Sequence, residues 1–464
     1  MTLATTTRYD PDRVSRQGGS AVVMGGSMAG LLAARVLSDA YDEVVVVERD
    51  PIPSTPTPRR GVPQGHHVHV LLEAGRATLC DLFPGYGEDL IDAGALIINV
   101  GEDLEQYEAG GFLAPPATRM EMYCASRPLL EGVARDRLGA LDAVELRGGC
   151  RFTDYVVDDG RVEGVRVRAD DDTGTIPADL VVDATGRTSR TPRWLTEHGY
   201  EIPPTVEVDI DFTYSTIRID RPREARRMLF APQSAPRTTG GAAFPIEDGE
   251  WLVTLGGMHD SDPPSTVAAF ETYADRLPID GVRELVAERE VVSDGVDRYP
   301  FPSNRRRRYE DLDDFPEGLV VTGDAIASFN PIYGQGMSVA ALEAIQLHHL
   351  LASGNTDAIS QRFFAAAADV VDIAWSMAVG ADSEFEATSG PTPTGAGLFN
   401  RYLNRLVRRA HTDEQLAEAY YRVVGMERPP TALLRPRTVW RTLRPEPVVE
   451  GFSVEGPTVT TDRT

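Results

Sequence analysis

The chain contains no lysine. All 46 of its basic residues are arginine, set against 71 acidic ones for a formal net charge of −25. Without lysine there is no amine for Schiff-base catalysis, and Walker-type nucleotide hydrolysis lacks its phosphate-gripping side chain. So acidic a surface is a poor match for nucleic acid or an anionic bilayer. Cysteine is scarce: Cys80, Cys124 and Cys150 lie far apart with no CxxC pair, which excludes dithiol redox chemistry and fits a reducing cytoplasm. No apolar run approaches the ~20 residues of a membrane span. The polar N-terminal stretch holds no signal-peptide core. His66, His67 and His69 cluster, but no Cys/His set at ligand spacing completes a metal site. The expectation is a cytoplasmic protein with no metal, no transmembrane segment and no nucleic-acid partner.

Two segments carry most of the chemistry. In the first, the apolar strand Ala21 to Met24 runs into Gly25-Gly26-Ser27-Met28-Ala29-Gly30 and a helix over Leu31 to Ala40. A second strand, Val44 to Val47, ends in Glu48-Arg49. A dinucleotide fold needs these parts: a tight turn, pyrophosphate on a helix N-terminus, and an acid about 20 residues on for the adenosine ribose. Ser27 stands where the middle glycine of GxGxxG is expected.

In the second segment, strand Leu319 to Thr322 ends in Gly323-Asp324. The loop Asn330-Pro331-Ile332-Tyr333-Gly334-Gln335-Gly336 then leads into a helix from Met337. Glycines let backbone approach a flat ring, and a helix N-terminus favours negative charge developing on it. Two further pieces fit the same ligand. Pro58-Arg59-Arg60-Gly61-Val62-Pro63-Gln64-Gly65 offers guanidiniums for phosphate, and Leu180 to Arg187 is a strand ending in a small-residue turn.

Together these segments resemble the flavoprotein monooxygenases of the para-hydroxybenzoate hydroxylase fold (group A, FAD-dependent). RRGVPQGHHVH and FNPIYGQGMS are similar to bacterial polyene and polyether epoxidases and, more distantly, to squalene epoxidase. The resemblance implies an α/β fold: a Rossmann-type FAD-binding domain, an inserted β-sheet substrate domain and a C-terminal helical region. It implies FAD held by Gly25 through Gly30, by Glu48 and Arg49, and by Arg60 and Arg127. Asp324 would bind the ribityl chain, with Pro331, Gly334, Gln335, Gly336 and Met337 framing the ring. NADPH or NADH, or a separate flavin reductase, would supply electrons. Oxygen would add at flavin C4a and pass to a small hydrophobic substrate by epoxidation or aromatic hydroxylation. No protein side chain acts as a nucleophile in this scheme, because the flavin carries the chemistry. Flavin halogenases of the superfamily need a lysine that is absent here. The alternative is an FAD-dependent alkene reductase of the geranylgeranyl-reductase kind.

The segments divide as 18–75, 120–190 and 300–355 for FAD, 76–119 and 191–299 for substrate, and 356–464 for C-terminal helices and a polar, frayed tail. Val206 to Tyr214 alternates as a half-buried strand, and Ala242 to Ile246, Glu247-Asp248-Gly249 and Trp251 to Leu255 read as a hairpin. Tyr214, Phe244, Thr254 and Met258 are candidate pocket residues on these strands. Arg305 to Arg308 reads as a solvated strand approach balanced by Glu310, Asp311, Asp313 and Asp314.

Absence of lysine fits GC-rich coding, and the acid excess fits molar salt, where the Debye length shrinks to ~3 Å and self-repulsion is screened. The composition points to a halophilic host, with a GC-rich mesophile as the alternative. For the halophile, the melting temperature should climb steadily from low to molar salt; a flat salt response favours the mesophile.

Overall fold

The computed structural model describes residues 1–445. The frayed tail expected beyond Pro445 lies outside the described residues.

Five short strands form a wholly parallel sheet: Gly18–Met24, Tyr41–Val47, Val144–Arg147, Leu180–Asp183 and Leu319–Val321. A strand covered on both faces has no polar side to alternate. Accordingly, residues 21–24, 44–47, 180–183 and 319–321 are all buried. Across the sheet the order is Leu319–Val321, Leu180–Asp183, Gly18–Met24, Tyr41–Val47, Val144–Arg147. The chain therefore reverses its walk between Gly18–Met24 and Leu180–Asp183. Such a switch point opens a crevice at the carboxyl ends of the strands, where ligands bind.

The helix Met28–Leu37 begins directly after Ser27, three residues earlier than the apolar pattern alone indicates. It packs against the helix Gly336–Ala352. Only glycine permits its close approach to the turn: a Cβ on Gly30 would lie 1.8 Å from the Gly25 carbonyl oxygen.

A second, eight-stranded sheet runs in the order Ala327–Ser328, Asp297–Arg307, Thr205–Asp220, Glu250–Met258, Thr239–Ile246, Met228–Ala231, Leu104–Glu108, Gly111–Phe112. The expected hairpin is its centre, turning at Asp248 with φ 58°. Thr205–Asp220 extends beyond the alternating stretch and bulges between Asp209 and Phe212. One face packs on its own small core around Trp251, Leu255 and Phe270. The other looks toward the switch point.

Arg305 to Arg308 departs from the solvated reading. Arg306 and Arg307 are buried: Arg306 pairs with Glu310 and Asp372, and Arg307 donates to the carbonyl oxygens of Ala325 and Arg187. These neighbours on the strand Asp297–Arg307 point to opposite faces, so both faces of the strand are covered there.

The helix Ile359–Asp382 is long and apolar enough to cross a membrane by length and composition, although its apolar stretch was not evident as a continuous run. More than half of that stretch is buried within the protein. Its Phe364 ring sits 5.0 Å from those of both Tyr309 and Phe315. The helices Ala396–Ala410 and Glu414–Val424 follow and, with the turn Pro430–Leu434, share a core around Leu406, Leu416 and Leu433; the helix Pro436–Leu443 packs against both. If Ile359–Asp382 is a core helix, Phe364→Ala should lower the unfolding free energy by ~3–5 kcal/mol in urea titration. A loss below ~1 kcal/mol would remove that helix from the core.

Candidate active site

A cavity of about 1040 Å³ joins the carboxyl edge of the parallel sheet to the inner face of the eight-stranded sheet. Its first wall is backbone-rich. Gly25, at φ 104°, follows the first strand, and a Cβ there would lie 2.4 Å from the Ala184 carbonyl oxygen. The Ala184 turn is itself fixed by Asp183, which accepts from the Thr185 backbone N–H at 2.9 Å and from the Ser189 hydroxyl at 2.5 Å.

Behind the glycine turn lies a buried charge network. The Glu131 carboxylate accepts from Ser27 Oγ at 2.7 Å, Arg59 Nη2 at 2.5 Å and Arg127 Nη2 at 3.2 Å. Arg59 also pairs with Glu48 at 2.7 Å and donates to the Gly26 carbonyl oxygen at 3.0 Å. Glu48 in turn accepts from the Gly26 N–H at 2.9 Å through Oε2 and from the Asp50 N–H at 2.9 Å through Oε1. Burial works to raise the Glu131 pKa, but Arg127 and Arg59, with the hydrogen bonds from Ser27 and Arg59, outweigh it and hold the group below the usual range. Ser27 spends its hydroxyl on Glu131 and makes no side-chain cap, leaving the first N–H groups of Met28–Leu37 unused by it.

At the far end of the sheet, Asp324 opens into the cavity. Enclosure by protein raises its carboxyl pKa, opposed by the charges of Arg127 and Arg187. Beneath it, the buried Glu343 accepts from Thr322 Oγ1 and the Gly323 N–H, both at 2.7 Å. The loop at residues 330–336 is clasped from below by Asp382, which accepts from Asn304 Nδ2 at 2.7 Å, Tyr333 Oη at 2.8 Å and Asn330 Nδ2 at 2.9 Å. Burial raises Asp382 to about 6 despite those three donors.

The opposite wall is the eight-stranded sheet. Phe212, Tyr214, Phe230, Phe244, Tyr299 and Phe301 line it, interrupted by Thr254 and the small residues Gly240, Ala242 and Gly256. Thr254 Oγ1 lies 2.6 Å from Thr216 Oγ1, which lies 2.7 Å from Nδ1 of the buried His67. The His67 ring stands edge-on to Tyr214 at 4.3 Å. Burial, with the nearby His69 and His66, lowers His67 to about 3, so the ring is neutral at physiological pH. His67 thus packs in the sheet wall, whereas His69 lines the cavity and His66 lies at the surface beside Asp297. Among the described residues, no group of His, Cys, Asp and Glu is placed to hold a metal ion.

The cavity brings together Gly25, Ser27, Met28, Ala29, Glu48, Arg49, Arg127, Asp324, Pro331, Gly334, Gln335, Gly336 and Met337 with Tyr214, Phe244 and Thr254. Gly26 and Gly30 lie just behind it, in the turn and the helix packing. Two expected residues lie off this wall. Arg60 is exposed and absent from the cavity wall, while its neighbour Arg59 turns inward to Glu48 and Glu131. Met258 is buried in the core and off the cavity wall, while Phe212, its partner on the next strand, lines the cavity. Glu131, Glu343 and Asp382 escaped the sequence reading. Glu131 alone left a signal, its i,i+4 spacing from Arg127.

With this geometry in view, the comparisons with known proteins converge. The family model described as an FAD binding domain matches residues 20–379, and the chain belongs to that family. It is an FAD-dependent oxidoreductase of the flavin monooxygenase class. It is 35% identical over 434 residues to Protein Rv3254 of Mycobacterium tuberculosis, covering 88% of this chain and 90% of that one. It is 29% identical to a kynurenine 3-monooxygenase of Salinispora tropica, covering 71% of this chain and 72% of the relative. PqsL of P. aeruginosa, solved in complex with 2-aminobenzoylacetate, shares the fold with a TM-score of 0.59. That likeness is at 18% identity and covers 82% of this chain and 100% of PqsL.

Burial raises Glu343 from 4.5 to about 7, opposed by its bonds from Gly323 and Thr322. The folded state therefore keeps a proton that the unfolded chain releases. The associated stability is complete below pH 4.5 and is lost as pH rises through about 7. Glu343→Gln carries no such proton. Its melting curves should flatten between about pH 5 and about pH 8, removing roughly 1–3 kcal/mol of pH-dependent stability. Parallel profiles for variant and wild type would show that Glu343 titrates normally.

Proposed function

We propose that this protein transfers one oxygen atom from O2 to a small hydrophobic substrate, epoxidising an alkene or hydroxylating an aromatic ring, with NADPH or NADH as electron donor. The observation that carries this reading is the joined cavity: one wall is the glycine-rich edge of a dinucleotide fold and the other an aromatic sheet. FAD fits the first wall on three counts. No side chain but glycine suits Gly25, the helices Met28–Leu37 and Gly336–Ala352 both begin at the cavity, and Arg127 Nε and Gln335 Oε1 are buried without a protein partner. Bound FAD supplies two-electron reduction and oxygen activation.

The protein's residues do the rest. The turn from Gly25 to Gly30 and Arg127 receive the pyrophosphate, and Glu48 meets the adenosine ribose through the unused capacity of Oε1. Asp324 accepts from the ribityl hydroxyls. The N-terminus at Gly336 stabilises negative charge at the ring, and Asp382 keeps the loop before it in position. The aromatic wall binds the substrate and excludes water that would otherwise divert activated oxygen to hydrogen peroxide. In this reading residues 18–75, 120–190 and 300–355 form the FAD domain, 76–119 and 191–299 the substrate domain, and 356–464 the helical region and tail. The three free cysteines support a reducing cytoplasm as the setting.

The test is turnover under ¹⁸O2 with NADPH or NADH and a panel of alkenes, phenols and prenylated aromatics, followed by mass spectrometry. One labelled oxygen atom in the product is expected. Saturation of an alkene without oxygen would overturn the reading in favour of the reductase.

A further inference from the structure

Gln233 is an anomaly on the cavity wall. Its side-chain Oε1 and Nε2 are both buried, and neither has a hydrogen-bond partner. A buried amide in native proteins ordinarily has its donors and acceptor met, and each unmet group carries a desolvation cost. The amide lies against Gly240 and Gly256, which face one another across two central strands. A Cβ on Gly240 would fall 2.6 Å from Gln233 Oε1, and one on Gly256 would fall 2.8 Å from Nε2. Glycine inside a strand weakens it and marks a place where something must approach the backbone closely. Here the occupant is a polar side chain with nothing to bond.

The main chain around Gln233 is held firmly. Ser234 and Arg237 exchange backbone hydrogen bonds at 3.1 and 2.9 Å, and the Arg237 guanidinium donates to the carbonyl oxygens of Pro232, at 2.7 Å, and Thr239. Only the side chain is left to adjust. The same sheet wall carries Phe212, Tyr214, Phe230, Ala242, Phe244 and Thr254, all uncharged.

We infer that Gln233 is a specificity-determining residue. Its amide turns from the glycine pair into the cavity and hydrogen-bonds a neutral carbonyl or hydroxyl group of an otherwise apolar substrate, whose flat part then rests on the bared Gly240–Gly256 strip. This rests on the reading of the aromatic wall as the substrate side.

The test compares a matched pair of probes, 2-naphthol and 2-methylnaphthalene, titrated into the oxidised holoenzyme and followed by perturbation of the flavin absorbance. Wild type should favour the naphthol at least about fivefold more than Gln233→Leu does. Gln233→Ala, which leaves the glycine pair open, should lose the same preference and bind the hydrocarbon no more weakly than wild type. An unchanged preference in both variants overturns the inference, as does failure of either probe to perturb wild-type flavin. Binding to oxidised enzyme needs no turnover, so failure to form an oxygenated product would count against the monooxygenase reading alone.

Discussion

Glu131 is the charge on which the glycine turn depends. It sits on the helix Arg127–Gly139, far in sequence from the turn, and is almost wholly enclosed. A carboxylate so placed is costly unless paired, and losing one partner of a buried pair leaves the other stranded. Three separate stretches of chain meet it: Ser27 from the turn, Arg59 from the segment after the second strand, and Arg127 from its own helix. Arg59 then carries the same constraint to Glu48. Glu131 beside the glycine turn and Glu48 at the end of the second strand are thus bridged into one unit in this protein. The serine that replaces the expected glycine is part of that unit and is held by it.

The same logic recurs at the other end of the sheet. Glu343 holds the Gly323–Asp324 turn, and Asp382 holds the loop that follows. Both are acids in the interior with no cation beside them, so their pKa values rise, whereas Glu131 sits among arginines and its pKa falls. Burial is common to all three sites, and the company of the carboxylate decides the sign. A chain that has only arginine for its cations keeps those charges on at every pH of interest, which suits a network meant never to switch off.

Much of this architecture was legible in the chain. Apolar runs such as Ala21 to Met24 and Leu180 to Val182 could only be strands covered on both faces, and the glycine spacing fixed what followed them. The hairpin over Ala242 to Leu255 was equally plain, because a Glu-Asp-Gly turn between apolar stretches has few alternatives. What stayed hidden was orientation. Arg59 and Arg60 are identical neighbours in an irregular segment, and nothing local says which faces in. Arg306 and Arg307 looked solvated because charge is a poor guide to burial when partners lie on another element. Met258 keeps the alternation of its strand but is buried in the core where Phe212, its partner on the next strand, lines the cavity. Each miss concerns a contact between elements distant in sequence, which periodicity cannot report.

The strand order has a consequence for how the molecule is made. Leu319–Val321 closes the parallel sheet by pairing with Leu180–Asp183, across well over a hundred intervening residues. During synthesis, the edge of Leu180–Asp183 is therefore apolar and unpaired while the five strands from Thr205–Asp220 to Asp297–Arg307 emerge. An open, hydrophobic strand edge is a template for wrong partners. A nascent chain of this protein adds more than a hundred residues with the cofactor crevice built on one side only, in the state where a chaperone has the most to protect.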